Sequence, residues 1–586
     1  NLPDLSGPDL TLLDMAQIER VEILRGGHAV RYGSGASQGI YNIFTRQPSA
    51  GSSGTITVGA GSYGARTARG RVSLASPRQS LSMDAAYKQG AQYRQHDRLT
   101  QRDGMLTYRA NAGYFDATIK SRSHRDRYRL PGPLSRTALT TYVVEPRDGS
   151  IQAGLEGETA DQSHIAKLTL YDGHVFSLSG SLQYRRRDND YVEAQQLSQT
   201  AANDRNTIDY RRLAQELLAQ LSLWDDQVKL TFGLERERSN YRRVLGNGGR
   251  INAKDGQFKA DAHFLHLQWQ PSAALALGVG YRNSHALIDI KDGREQDHTD
   301  SPDCETITQM TGLPPPFDVI VLGLDCPQVL AFDPTQRLHW DNEAWEANAV
   351  WTLGDTTNTY ASYSESFRLP NIDELALVKI DEQLLPQRAE RYETGLRWRR
   401  KATSLRLALF RSRTTKEIAF AGSGPNLGFN FNARTAVARK GGELEATLTI
   451  FDDALRMATK LGYTHARSQL EQGSGSFRWP LVPYVTASQS LHWTLHHRAE
   501  LSWSTRYVGD RHDGNSFEAQ RFDKQSSYSI SDVVLRARLV DNDQQSLTLR
   551  FGVHNIFNRK YSPIAYSNAV YPATDRTLNG ELHYAF

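Results

Sequence analysis

The sequence predicts an all-β membrane protein: a 22-stranded antiparallel transmembrane β-barrel preceded by a short mixed α/β segment. Three observations predict it. No stretch of the 586 residues offers the 18 or more consecutive apolar residues that a transmembrane helix needs. From about Thr55 onward, long runs alternate with period 2, as in Phe176–Leu182 and Leu547–His554. Short and long connections between these runs alternate along the chain, as they do where one end of a barrel carries tight turns and the other carries loops.

The alternating runs show which kind of sheet this is. In Leu547–His554, Leu547, Leu549, Phe551 and Val553 face one way, and Thr548, Arg550 and His554 face the other. The inner face of a sandwich rarely holds Arg and His, whereas a water-filled barrel does. Short connections are expected near Pro77, Asn111, Asp172, Asp225, Pro271, Asp355, Lys401, Asp453, His496 and Asn542. Longer polar connections are expected near residues 62, 95, 140, 200, 250, 315, 378, 428, 473, 518 and 567. Ten short and eleven long connections separate twenty-two strands. The terminal run places Leu582, Tyr584 and Phe586 on one face, and an aromatic strand end suits a membrane interface.

Residues 1–50 read differently. Apolar clusters are followed by a Gly-dense stretch and then by Ile40–Phe44. Asp14 is placed to cap a short helical turn through Ile18, followed by a strand over Arg20–Leu24. A Gly-rich run can also cradle phosphate, but no Lys-Ser/Thr follows at the spacing that a P-loop needs.

Composition narrows the function classes. There are 69 Lys+Arg against 65 Asp+Glu, a net charge of +4, which gives no reason to invoke nucleic acid. No nucleophile, base and orienting group can be argued into one place, so no enzyme is expected. The 17 His are dispersed, and His496-His497 falls in a short turn; no metal centre and no cofactor are expected. The two cysteines, Cys304 and Cys326, share the longest polar connection, about 286–345. A disulfide in an oxidising compartment is the natural reading, with two unrelated thiols as the alternative. Such a bridge would pin a subloop and lower its closure entropy. No signal peptide is visible and residue 1 is Asn, so the chain is expected to be mature or truncated.

Residues 19–46, ERVEILRGGHAVRYGSGASQGIYNIFTR, resemble the end of the plug domain of TonB-dependent receptors. Arg25-Gly26, Tyr32-Gly33, Ala36, Gly39 and Asn42-Ile43 stand at the family's positions, and Ser37-Gln38-Gly39 departs from the usual x-G-G. The later chain agrees. Ser364–Asn371 resembles the family's S-x-x-F-R-x-P segment. Leu385-Pro386-Gln387 and Tyr392–Leu396 resemble L-x-P-E and Y-E-x-G, with Gln387 replacing the customary Glu. Gly442–Glu445 looks like the G-x-E-x-E strand, and Asn555–Asn558 with Tyr561 looks like N-L-F-N-x-x-Y. The resemblance divides the chain into the C-terminal part of a plug, residues 1–50, and a barrel, residues 51–586. It implies that the plug lies in the lumen and that its first half and a TonB box are absent from this chain.

The resemblance also assigns roles. Arg25 is expected to pair with the barrel-wall glutamates Glu393, Glu443 and Glu445, a contact that seats the plug yet yields to a pull. Gly26, Gly27, Gly33, Gly35 and Gly39 are expected to allow tight turns and close approach to the wall. Phe586 matches the signal read by the outer-membrane barrel assembly machinery. His124, Arg125, Arg127 and Tyr128, with Tyr184, Arg185, Arg186 and Arg187, sit where strands emerge into long loops. They could receive an anionic chelate in a vestibule, bind lipopolysaccharide phosphates from outside, or simply be solvated.

The implied location is the outer membrane of a Gram-negative bacterium, among lipid and lipopolysaccharide. The implied function is active import of a scarce nutrient, a ferric siderophore foremost, driven by TonB of the TonB–ExbB–ExbD complex. The alternative cargo is a vitamin, redox cofactor, haem or copper complex. A passive porin or adhesin is a third reading, against which the plug motif argues.

Overall fold

The computed structural model describes residues 14–37, 39–47, 51–90, 93–135, 155–172, 174–193, 205–247, 250–297, 305–310, 319–325, 328–332, 334–376, 378, 382–420, 429–451, 454–469, 476–512, 524–542, 544–566 and 569–586. Among them, twenty-two long antiparallel strands form a closed barrel. The first wall strand, Gly51–Gly61, pairs on one side with Arg66–Ala75 and on the other with the last, Thr577–Ala585. Thr55 faces Ala585 and Gly61 faces Asn579 across this seam. Phe586 and Gly54 exchange both backbone hydrogen bonds, at 2.7 and 3.0 Å, so the chain end locks the seam.

All ten connections expected to be short are short. Two of the eleven expected to be long are not. Ser62–Gly64 forms a tight turn, and Val228–Asn247 pairs with Arg250–Ser272 up to Asn247↔Arg250. The polar residues near 250 belong to strands that continue beyond the membrane, not to a loop. A membrane crossing takes about 9–11 residues, and these two strands have 20 and 23. The strand Leu275–Asp297 also has 23. This sector therefore stands well above the membrane, whereas Ala499–Val508 has only 10 residues.

Strand parity gives the wall two different surfaces. Leu549 and Phe551 are exposed outward while Thr548 is buried toward the lumen. Trp224, Trp269, Trp351 and Trp493 are exposed near the short-turn end. Tyr281 against Trp345 and Tyr363 against Tyr392 mark the other end of the apolar band. Two aromatic girdles around an apolar band are the signature of an outer-membrane barrel.

Inside the wall, Asp14 caps the 3-10 turn Met15–Gln17 by accepting from the Ala16 N–H at 3.2 Å. The strand Ile18–Arg25 follows and pairs with Gly39–Thr45, from Ile18↔Thr45 to Arg25↔Gly39. Between them lies one helical turn, Ala29–Tyr32. Cys304 and Cys326 lie outside the described residues. The strands next to them in sequence, Glu305–Met310 and Val319–Asp325, form a hairpin that pairs Glu305 with Asp325.

Candidate functional site

Two arginines of the inner segment pair with wall carboxylates, while Arg69 with Asp14, Lys120 with Thr45 and Arg71 with the Arg46 carbonyl tie its two ends to the wall at 3.2, 2.9 and 3.1 Å. At the first, Arg25 leaves the end of its strand toward Val437–Ile450. Its Nε lies 3.0 Å from Glu443, and its Nη2 meets Glu445. Glu443 and Glu445 are two residues apart on one strand and so share the lumen face. Burial opposes the charge of Arg25. The hydrogen bond to Glu445 and the charges of Glu443, Glu445 and Glu393 outweigh it, and the guanidinium is held protonated above its ordinary range. Glu393 is not one of its ion-pair partners. It accepts from the Tyr360 hydroxyl at 2.8 Å and pairs with Arg391 at 2.7 Å and Arg406 at 3.8 Å. Wall residues alone already satisfy this carboxylate.

The second place was not singled out by the sequence reading. Arg31, on the helical turn, lies 2.8 Å from Glu216 and 3.5 Å from Glu235. Arg282 reaches Glu235 at 2.6 Å and donates to the Val30 carbonyl at 3.3 Å. An apolar cluster lies beneath these charges: Ala29, Val30 and Ala36 from the inner segment, Phe264, Ala344 and Phe367 from the wall. Two further bonds fix the same corner, Gly35 N–H to the Phe367 carbonyl at 3.1 Å and Leu369 N–H to Ser34 Oγ at 2.9 Å.

The glycines explain how the segment approaches so closely. Gly26, Gly33, Gly35 and Gly39 have positive φ; Gly27 does not. A Cβ on Gly27 would overlap the Ser364 hydroxyl of the wall. A Cβ on Gly33 would sit 3.0 Å from Arg282 Nη2, at a φ of +68° that side chains rarely adopt.

Between the inner segment and the wall lies a cavity of about 1620 Å³. Eight arginines line it: Arg25, Arg122, Arg185, Arg212, Arg243, Arg368, Arg391 and Arg439. Each is within 2.5–3.2 Å of a carboxylate. The loop after Thr357–Arg368 folds over this space. Asn371 and Glu374 cap its helix Ile372–Ala376 reciprocally, at 2.7 and 2.9 Å. Asp373 then accepts from Tyr241 at 2.6 Å and pairs with Arg243 at 2.9 Å, while Arg368 grips Glu374 with two hydrogen bonds. Ile372 is buried against Ile208 and Tyr241. The family-like Ser364–Asn371 segment thus leads into a roof over the cavity, a placement its sequence alone did not reveal.

The eight residues expected at a vestibule divide by strand parity. Arg185 faces the cavity and pairs with Asp161 at 2.7 Å. His124 is buried between Asp103 and Asp126, at 2.8 and 3.2 Å, and the Tyr128 hydroxyl donates to Asn189 at 3.0 Å. Arg187 is buried as well. Arg125 and Arg127 face outward and both pair with Glu158. Arg186 faces outward beside Asp188, and Tyr184 stacks on His164 on the same outer surface. The side chains of Arg125, Arg127, Arg186 and Tyr184 therefore point away from the lumen. Adjacent residues of a strand point to opposite faces, so a basic run in sequence is not a basic patch in space.

Comparison with known proteins agrees with this architecture. Residues 87–556 match the family described as TonB dependent receptor-like, beta-barrel, and residues 2–40 match the TonB-dependent Receptor Plug Domain. The chain belongs to the TonB-dependent receptor family. As a member, the receptor resides in the outer membrane of a Gram-negative bacterium, and its inner segment is plug. Among curated relatives, it is 33% identical over 87 residues to a ferric enterobactin receptor of Pseudomonas aeruginosa, a match covering 15% of this chain and 11% of that protein. It is 50% identical over 42 residues to the ferric enterobactin receptor PirA of the same organism, covering 7% and 6%. These matches span about a tenth or less of the relatives' length.

Among solved structures, the receptor resembles the closed form of the ferric-catecholate import receptor Fiu from E. coli K12. The TM-score is 0.80 at 15% identity, over 97% of this chain and 87% of that one. It also resembles the copper transporter OprC, with a TM-score of 0.76 at 16% identity over 97% and 85%. At such identities these likenesses speak for the fold.

Proposed function

We propose that the receptor imports an anionic ferric chelate of the siderophore class across the outer membrane, in a step driven by TonB. The observation that carries this reading is a plug segment seated by ion pairs inside a closed barrel, beneath a roofed cavity lined by eight arginines. A plugged lumen has no standing channel, so passage requires work on the plug. Guanidinium groups suit carboxylate and catecholate oxygens because they donate in a planar fork. Here each one already has a carboxylate partner, so an anionic cargo would bind by exchange rather than by filling a bare positive site. The short matches to ferric enterobactin receptors point to the same cargo class.

In this reading Arg25 with Glu443 and Glu445 is the contact that yields when the plug moves. Phe586 at the seam is the feature the assembly machinery reads. The outward Arg125, Arg127 and Arg186 meet anionic lipid. A Cys304–Cys326 bridge would close the hairpin that pairs Glu305 with Asp325. A vitamin, redox cofactor, haem or copper complex is the alternative cargo within the same transporter class.

Accumulation of radiolabelled ferric enterobactin and of copper, in cells expressing the full-length receptor with and without TonB, tests the proposal. Iron accumulation that requires TonB is expected. Copper accumulation without iron would overturn the cargo, and TonB-independent uptake would overturn the mechanism.

A further inference from the structure

The outer face of the wall carries a cluster that the import reading does not use. His285 lies on Leu275–Asp297, and His339 and Asp341 lie on Gln336–Thr352. His285 is directly opposite Asp341 in the ladder, and His339 is two residues from Asp341, so all three project from one face. His285 Nδ1 is 2.8 Å from Asp341 Oδ1, and His339 Nε2 is 3.3 Å from Asp341 Oδ2. The two imidazole centroids are 4.2 Å apart at 71°. One candidate ligand atom from each residue lies within 4.8 Å of the others. The three side chains are 50%, 49% and 65% exposed.

We propose that His285, His339 and Asp341 bind one divalent transition-metal ion of the zinc class at the outer surface of the barrel. Two imidazole nitrogens and one carboxylate oxygen form a borderline donor set that suits zinc, nickel or copper over magnesium or calcium. Tetrahedral coordination at about 2.0–2.2 Å puts ligand atoms about 3.3–3.5 Å apart. Small side-chain rotations reach that spacing, because the backbone ladder already fixes the three residues on two neighbouring strands. One neighbouring cation is occupied: Arg337, the next residue on this face, pairs with Asp289 at 2.8 Å. The cluster also sits where an ion could arrive. His285 is four residues beyond Tyr281, and Asp341 four beyond Trp345, the pair at the outer girdle. That places it clear of the apolar band, on the loop side, with a fourth position open to solvent. Because it faces away from the lumen, this site is separate from any cargo path.

The test is isothermal titration of Zn²⁺ into the tag-free, detergent-solubilised full chain. The second close pair of imidazoles, His496 and His497 with centroids 3.8 Å apart at a turn, provides the control. Wild type and H496A/H497A should each bind one equivalent that H285A/H339A loses, and Asp341→Asn should weaken it at least tenfold. Heat-modifiable electrophoretic mobility confirms that each variant is a folded barrel. A titration unchanged in H285A/H339A, or an equivalent lost instead in H496A/H497A, would overturn the site.

Discussion

The plug's two arginine attachments, at Arg25 and at Arg31, are built from different physics. At Arg25 there are only charges. Arg25, Glu443 and Glu445 keep 24%, 31% and 28% of their side-chain surface in solvent, and none belongs to an apolar cluster. At Arg31 the charges sit over packed Val30, Phe264 and Phe367, and Arg282 is only 6% exposed. Hydrated ion pairs contribute little net energy, because Coulomb attraction is screened and water can replace either partner. Packed apolar surface is lost only by opening a cavity. The difference assigns the two places different duties: the packed corner seats the plug, and the Arg25 contact is the place where it gives way.

Phe264→Ala should have the largest effect. The ring is 1% exposed and lies 5.4 and 5.9 Å from the Arg31 and Arg282 guanidiniums. Burial on this scale is worth about 3–5 kcal/mol when truncated to Ala. Limited proteolysis should cut within residues 26–38 of this variant while the barrel stays intact. Full protection would mean that the corner is not what seats the plug.

Arg31→Ala should cost less, about 1 kcal/mol. It strips Glu216 of its plug partner but leaves Glu235 paired with Arg282. The same proteolysis should show partial sensitivity, between wild type and Phe264→Ala. Sensitivity equal to Phe264→Ala would shift the seat from packing to charge.

The sequence made the barrel legible because strand parity and turn chemistry are local. Eight of the ten tight turns carry Gly, Pro, Asn or Asp punctuation; those at Lys401 and His496 show only as breaks between paired runs. The connection near 250 was misread because a strand outside the membrane loses its apolar face and looks like loop. The parity that reveals the barrel also separates Arg125 and Arg127 from His124 and Tyr128, so that division was present in the sequence. Arg31 could not be found this way. Its partners Glu216 and Glu235 lie about two hundred residues away, and nothing local says which wall strand the helical turn will meet. Glu393 failed as a direct partner for a similar reason. The motif places it on the lumen face but does not disclose that Tyr360, Arg391 and Arg406 already hold it.

Amide hydrogen exchange of the plug in Glu443→Gln/Glu445→Gln, set beside Glu393→Gln, tests the division of duties most directly. The lost pairing is worth about 1 kcal/mol, or roughly a fivefold change in local opening. Exchange should rise about fivefold across Ile18–Arg25 in the double variant, with Ala29–Gly33 still protected, and should stay at wild-type rates throughout the plug in Glu393→Gln. Equal deprotection of both stretches, or a larger response to Glu393→Gln than to the double variant, would contradict the account.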